Sequence, residues 1–214
     1  MALGTPFARR FVELAAASMS EHAQELVHLD RNIGDGDHGE NMRRGFDAAL
    51  GKLDSVAEDA TPADVLKLLA TTLISTVGGA AGPLYGTAFL KGSMAVKDRP
   101  ELDAAAIAAF LEAARDGVAS RGKAEPGDKT MVDAWTPAVD AAKAAAKAGE
   151  PETAVLAAAR DAAREGAAAT EPLVARKGRA SYLGERAAGH RDPGAQSTAY
   201  LLEAMTAAAE EAAA

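Results

Sequence analysis

The chain contains no cysteine, which removes disulfides, thiolate metal sites and a cysteine nucleophile. Aromatic residues make up only 4% and β-branched runs are scarce, so there is little strand-forming material. No apolar stretch nears the roughly 20 residues that a membrane-spanning helix needs. The N-terminus lacks a basic segment followed by an apolar one, so no secretory signal is read and a cytoplasmic location is expected. Positive charge is also in deficit: 23 Lys and Arg stand against 31 Asp and Glu, a formal net charge of −8. That balance argues against nucleic acid as the main partner, because phosphate backbones select basic surfaces. Two nucleotide-binding signatures are missing as well. There is no Gly-Lys-Ser/Thr of a P-loop, and no Gly-x-Gly-x-x-Gly following a strand.

What dominates instead is alanine, the best helix former, and the expectation is an all-α single domain over residues 1–214. Helix starts are legible where a capping side chain precedes proline: Thr5-Pro6, Thr61-Pro62 and Asp192-Pro193. Asp64 lies three residues after Thr61, close to a capping box. The spacing predicts about eight helices, over roughly 6–28, 39–53, 62–77, 83–97, 102–120, 129–148, 151–174 and 193–213. In the fifth, Ile107, Phe110, Leu111, Ala114 and Val118 form one stripe to be buried. Pro137 falls inside the sixth and predicts a kink or a shifted start. The alanine-rich end after 206 reads as a frayed helix terminus.

Four segments break this texture, and the first is 30-DRNIGDGDHGENMRRGF-46. A solvated turn explains two neighbouring aspartates, but three within eight residues repel one another unless a cation offsets them. An EF-hand does not fit: counting from Asp35, the fifth position is Gly39 and the twelfth is Phe46. Zinc is disfavoured because His38 is the cluster's one imidazole. Magnesium suits a set of carboxylate oxygens and is commonly shared with phosphate. A helix beginning near Gly39 would present free N–H groups beside it, with His38 and Asn41 as further donors. Carboxylates for Mg²⁺ next to donors for phosphate are the parts that phosphoryl transfer uses.

The remaining segments admit two readings each. Gly78, Gly79 and Gly82 are either a second phosphate-cradling loop or a tight inter-helix turn. Arg176, Lys177, Arg179, Arg186, His190 and Arg191 either bind a polyphosphate or pair with nearby acids such as Glu185. Met131 either fills core or flanks a purine. Trp135 reads as core, His22 and His28 as surface residues of the first helix, and Asp192 as a helix cap able to touch a ligand.

Taken in order, LDRNIGDGDHGENMRRGF, VGGAAGPLYGTAF, SRGKAEPGDKTMVDAW and ARKGRASYLGERAAGHRDPGA resemble the nucleotide-binding L subunit of bacterial dihydroxyacetone kinase, and they span residues 29 to 195. The length also matches a stand-alone subunit. The resemblance implies a barrel of eight antiparallel helices with the nucleotide at one end. It implies that Asp30, Asp35 and Asp37 hold two Mg²⁺ ions against a diphosphate, that His38, Gly39, Glu40 and Asn41 lie around the phosphates, and that Gly79, Ala80 and Ala81 make a second contact. Gly122, Met131, Arg179 and the turn Asp192-Pro193-Gly194 fall where the family surrounds the rest of the nucleotide. Where the family usually has serine, this chain has Ala81, which removes a hydroxyl contact and predicts weaker phosphate binding. ADP is implied as a retained cofactor that becomes ATP transiently. A phosphohistidine on an M subunit recharges it, and the phosphoryl group passes to dihydroxyacetone held on a K subunit, with His38 or Arg179 stabilising it in transit. The family also includes members that touch a transcriptional regulator, and a homodimer is compatible with it. An ATP-dependent kinase of dihydroxyacetone or of a short ketose such as erythrulose shares these motifs, and a nucleotide-sensing regulatory module is a third reading.

Overall fold

Alanine at helix contacts, and glycine where backbones touch, let the helices of this chain approach closely, and the architecture follows from that closeness. A computed structural model describes residues 3–214. Among the described residues the regular structure is nine α-helices: α1 (Thr5–Glu21), α2 (Ala23–Ile33), α3 (His38–Leu50), α4 (Pro62–Thr76), α5 (Ala81–Ala95), α6 (Ala104–Gly122), α7 (Val132–Lys147), α8 (Glu152–Ala169) and α9 (Pro193–Ala213). Two 3-10 segments, Leu53–Ser55 and Arg179–Ala187, complete it. There is no strand among these residues; Leu3 and Leu102 form one isolated antiparallel bridge. No described helix is long and apolar enough to cross a membrane.

From α3 to α9 each helix packs on its neighbour in the chain, and α1 closes the ring by packing on both α9 and α3. The chain is thus the expected all-α single domain, and its ring of helices is consistent with a barrel. The interior is filled rather than hollow. Phe11, Phe46, Phe89, Phe110, Tyr85 and Trp135 are fully buried within the alanine framework. Phe89 bridges Phe11 and Phe110, with ring centroids 5.9 and 6.4 Å away. All five residues of the α6 stripe are buried.

Helix ends show where local sequence decided the outcome. Thr61 and Asp64 form the capping box, and Asp192 caps α9 by accepting the Ala195 N–H at 2.7 Å. Caps of this kind each stabilise a helix by about 1 kcal/mol. Thr5 departs from expectation. Gly4 occupies the cap position of α1, and the Thr5 hydroxyl donates instead to the Ala60 carbonyl.

Other ends were set by tertiary contacts. The expected helix 6–28 divides at His22 (φ −93°, ψ 7°), so nine helices replace eight. His22 is half-buried rather than a surface residue, and it stacks on Tyr200 with 3.9 Å between ring centroids and 6° between planes. The break redirects α2, which continues to Ile33 because Leu26, Val27, Asp30 and Ile33 share one buried face. Asp30 is therefore a helical residue, not a loop residue. Helix α7 starts at Val132 rather than 129 because Lys129 is left-handed, with φ 61°. Pro137 lies inside α7 without ending it. The Asp133 carbonyl, deprived of a partner by Pro137, faces Gly166 of α8, where a Cβ would sit 2.3 Å from it. The C-terminus is not frayed from 206 onward: Thr206, Ala208 and Ala209 are buried on α9, and exposure begins at Glu210.

Gly39 in the first turn of α3 is the tightest of these contacts for the site. A Cβ there would lie 2.0 Å from the Ala23 carbonyl oxygen of α2 and 2.9 Å from the Val27 nitrogen. Both are backbone atoms and neither can rotate aside. The substitution Gly39→Ala is expected to force α3 away from α2 and to destabilise the fold by about 3 kcal/mol or more, measured as a shift in the urea midpoint.

Candidate functional site

The aspartate segment is organised by Asp30. One of its carboxylate oxygens, Oδ2, accepts the backbone N–H groups of Asp37 at 2.9 Å and His38 at 3.1 Å. The last turn of α2 is thereby fastened to the first turn of α3, and residues 34–36 arch over the join with Gly36 at φ 76°. Asp37 occupies the cap position of α3 yet makes no side-chain cap bond, which leaves its carboxylate uncommitted. Asp30, Asp35 and Asp37 each bring a carboxylate oxygen within 4.8 Å of the others. Asp30 is buried and the other two are exposed. An all-oxygen set with neither thiolate nor imidazole among its donors fits a hard divalent cation such as Mg²⁺. Asp35 Oδ2 also pairs with Arg179 Nη2 at 2.9 Å. That exposed ion pair draws the basic segment across the mouth of the site.

Opposite the carboxylates lies the glycine turn. Gly79 has φ 63°, a conformation that suits glycine, and Ala80 caps α5 without a side-chain bond. Helix α5 begins at Ala81, two residues before the predicted start. The N–H of Ala81, the first residue of the helix, therefore belongs to a residue that borders the same cleft. This turn and the aspartate segment form two walls of one cavity. The third wall comes from Thr130 and Met131, from Lys177 to Ala180, and from Asp192 to Gly194.

Behind the walls the polar groups are tied down. His38 Nε2 lies 2.9 Å from Ser197 Oγ. Ser197 in turn meets the Tyr85 hydroxyl at 2.7 Å, and Tyr85 reaches Thr198 Oγ1 and the Gly194 carbonyl, each at 2.9 Å. Burial holds the His38 imidazole below its ordinary pKa, opposed by the charges of Asp30 and Asp37. Burial likewise raises Tyr85. Lys129 is only 1% exposed. Its ammonium donates to the carbonyls of Thr170 at 2.7 Å, Glu171 at 3.2 Å and His190. Burial pulls its pKa down while Asp192, Glu171 and Asp133 act in the other direction. These bonds also account for the early end of α8, since Thr170 and Glu171 turn their carbonyls to Lys129.

Of the residues anticipated from sequence, Asp30, Asp35, Asp37, His38, Asn41, Gly79, Ala80, Ala81, Met131, Arg179, Asp192, Pro193 and Gly194 border this cavity. Gly122 borders an adjoining cleft that shares Ala80 and Met131 with it. Gly39 is packed on α2, and the Glu40 side chain turns to Arg43 at 2.7 Å and to Gln24. Neither of these two borders the cavity with its side chain. Trp135 is core, as expected. Within the basic segment, Lys177 and Arg179 face the cavity. Arg179 pairs with Asp35 and Arg191 approaches Glu171, rather than Glu185. Sequence reasoning passed over Lys129, Tyr85 and Ser197. Lysine is ordinarily exposed, and hydroxyl residues on alanine-rich helices give no sign of which of them will meet.

With this geometry in view, the comparisons with known proteins are informative. The DAK2 domain matches residues 32–207. The chain is 44% identical over 192 residues, covering 90% of its own length and 91% of the relative's, to the Escherichia coli (strain K12) protein named PEP-dependent dihydroxyacetone kinase, ADP-binding subunit DhaL. It is 42% identical to the PTS-dependent dihydroxyacetone kinase ADP-binding subunit DhaL of Lactococcus lactis, covering 87% of this chain and 88% of that one. Among solved structures it resembles the dihydroxyacetone kinase from C. freundii in complex with AMP-PNP and Mg²⁺. The TM-score there is 0.70 at 26% identity, over 97% of this chain and 34% of that one.

Asp192 gives the site a pH signature. Burial pushes its carboxyl up to about 7 from an ordinary 3.8, the Ala195 N–H pulls it down, and Asp133 adds to the rise. The fold therefore holds a proton there that the unfolded chain releases near pH 4. The associated stability is complete below about pH 4 and is lost as pH rises through about 7. Asp192→Asn keeps an acceptor for the Ala195 N–H and cannot ionise. Because Asp192 retains a partly accessible edge, water tempers the effect. Thermal or urea melts should show Asp192→Asn gaining about 2 kcal/mol relative to the parent between pH 5 and pH 8.

Proposed function

This chain belongs to the DAK2 domain family, and from that premise we propose that it is the ADP-binding subunit of a phosphoenolpyruvate-dependent dihydroxyacetone kinase. The observation that carries the reading is the convergence of three carboxylate oxygens within 4.8 Å on a cavity whose other wall is a glycine turn opening a helix. The 44% identity to a protein of that name supports it. The proposal treats the whole chain as one nucleotide-binding domain acting in the cytoplasm.

The residues divide the work by chemistry. Asp30, Asp35 and Asp37 hold two Mg²⁺ ions, which supply positive charge against the phosphoryl oxygens. Asp30 is the fixed member, because two backbone N–H groups already set its orientation. His38, Gly39, Glu40 and Asn41, at the start of α3, lie around the diphosphate of ADP, and Gly79, Ala80 and Ala81, at the start of α5, make a second contact with it. Met131, Gly122 and the turn Asp192-Pro193-Gly194 surround the remainder of the nucleotide. Arg179 stands at the mouth of the cavity, where a guanidinium stabilises a phosphoryl group in transit. The neutral His38 ring does the same from within the wall. The acceptor, dihydroxyacetone, is presented on a K subunit, and a phosphohistidine on an M subunit is the donor. This reading accounts for a sequence with no sugar-binding signature.

The likeness to a kinase solved with AMP-PNP and Mg²⁺ favours one second reading, in which ATP is a dissociating substrate for phosphorylation of dihydroxyacetone or another short ketose. Reconstitution separates the two. With the partner subunits present, product should form from a phosphohistidine donor and not from ATP alone; turnover with ATP alone overturns the first reading. Calorimetry with Mg·ADP should show tight binding that Asp35→Asn with Asp37→Asn weakens about a hundredfold. Ala81 opens α5 on the cavity wall, so Ala81→Ser adds a donor where phosphate is expected. It should tighten Mg·ADP binding by about fivefold, the worth of roughly one net hydrogen bond.

A further inference from the structure

Arg44 lies outside the cavity, on the exposed side of α3. Its Nη2 donates to Asn41 Oδ1 at 2.6 Å and its Nε donates to the Thr76 carbonyl at 3.2 Å. Thr76 is the last residue of α4, immediately before the glycine turn. A Cβ on Gly78 would lie 3.3 Å from Asn41 Oδ1 and 3.7 Å from Arg44 Nη2, so the turn rests against this pair. One guanidinium thus joins the helix that follows the aspartate segment to the turn on the opposite wall.

The chemistry of the pair fixes the direction of Asn41. A guanidinium has donors only, so the carboxamide must offer it oxygen. The amide nitrogen is then left over. Asn41 is buried and borders the cavity; its Oδ1 is taken by Arg44, and its Nδ2 is not among the buried atoms stranded without a partner, as befits a donor that reaches the open cavity. Arg44 also sits where α4 ends and its C-terminal carbonyls carry partial negative charge. That charge would repel an anion held by the adjacent turn, and Arg44 offsets it.

We propose that Arg44 is the positioning residue of the phosphate site: it holds Asn41 with its N–H donors turned to the anion and couples the two walls that grip it. Arg44 acts through Asn41 and does not itself touch the nucleotide. The inference rests on the nucleotide reading above.

The test is a double-mutant cycle read by calorimetry with Mg·ADP, using Arg44→Met, Asn41→Ala and the double substitution. Arg44→Met should weaken binding about tenfold or more. In the Asn41→Ala background it should change binding by less than about twofold, because the side chain it directs is gone. The side-chain NH₂ signals of Asn41 should shift on adding Mg·ADP to the parent, and that shift should be lost in Arg44→Met. If Arg44→Met binds like the parent, or weakens binding by the same factor in both backgrounds, the positioning role is overturned. Should Arg44→Met lower the melting midpoint, Arg44→Gln carries the cycle, since its shorter amide cannot span Asn41 and Thr76. Parent protein that takes up no Mg·ADP overturns the nucleotide reading itself, an outcome distinct from equal binding by parent and variants.

Discussion

Asp30 Oδ2 accepts two backbone N–H groups from the start of α3, and the remainder of the site takes its geometry from that junction. The carboxylate is buried, and a buried charge must be paired or hydrogen-bonded to be tolerated. Here the two amides meet that need. They also place Asp37 beside Asp30, bend the intervening arch so that Asp35 joins them, and aim the first turn of α3 at the cavity. Gly39 makes the junction sterically feasible, since α2 and α3 meet there backbone to backbone. A carboxylate that was a turn residue in sequence terms is thus the point where two helices and a cluster of three carboxylates are assembled together.

A second layer lies behind the first. The His38 ring is bonded to Ser197, and Ser197 to Tyr85, so α3, α5 and α9 share one chain of buried hydroxyls. These helices all border the cavity. Low dielectric strengthens such a network when every member is satisfied, and here the Gly194 carbonyl closes it. Phosphoryl transfer gains more from fixed donors than from flexible ones, because no reorganisation is then needed as charge moves. The alanine-rich helices supply close packing, and these few hydroxyls supply the fixed register among them.

Much of this was legible in the sequence, and the reasons differ by residue. The capping box at Thr61 and the cap at Asp192 are local signals, and they were read correctly because their hydrogen bonds close within three residues. The stripe on α6 was legible because burial repeats with the helical period. The three aspartates stood out by charge density alone. The break at His22 was not legible: neither glycine nor proline marks it, and it arises from the stacking of His22 on Tyr200, far along the chain. Lys129 was invisible for a related reason. Nothing in GDKTM says that an ammonium will be enclosed by carbonyls of residues 41, 42 and 61 positions further on. Ranges of helices were off by a few residues where a distant side chain claimed the terminal carbonyls, as at Thr170.

Lys129 also bears on how a ligand gets in. Its ammonium rivets the stretch around residue 129 to the chain at Thr170 and Glu171 and to the chain at His190. Those three strips of backbone cannot swing apart independently without stranding a charge. Any opening of the third wall must therefore be sought between the rivets, in the 3-10 stretch from Arg179 to Ala187. There the backbone is broken at Gly184 and Tyr182 stands 87% exposed. The floor of the cleft is stapled, whereas this awning is fastened by Ala180 and Ala187 in a small apolar cluster and by the Arg179–Asp35 pair.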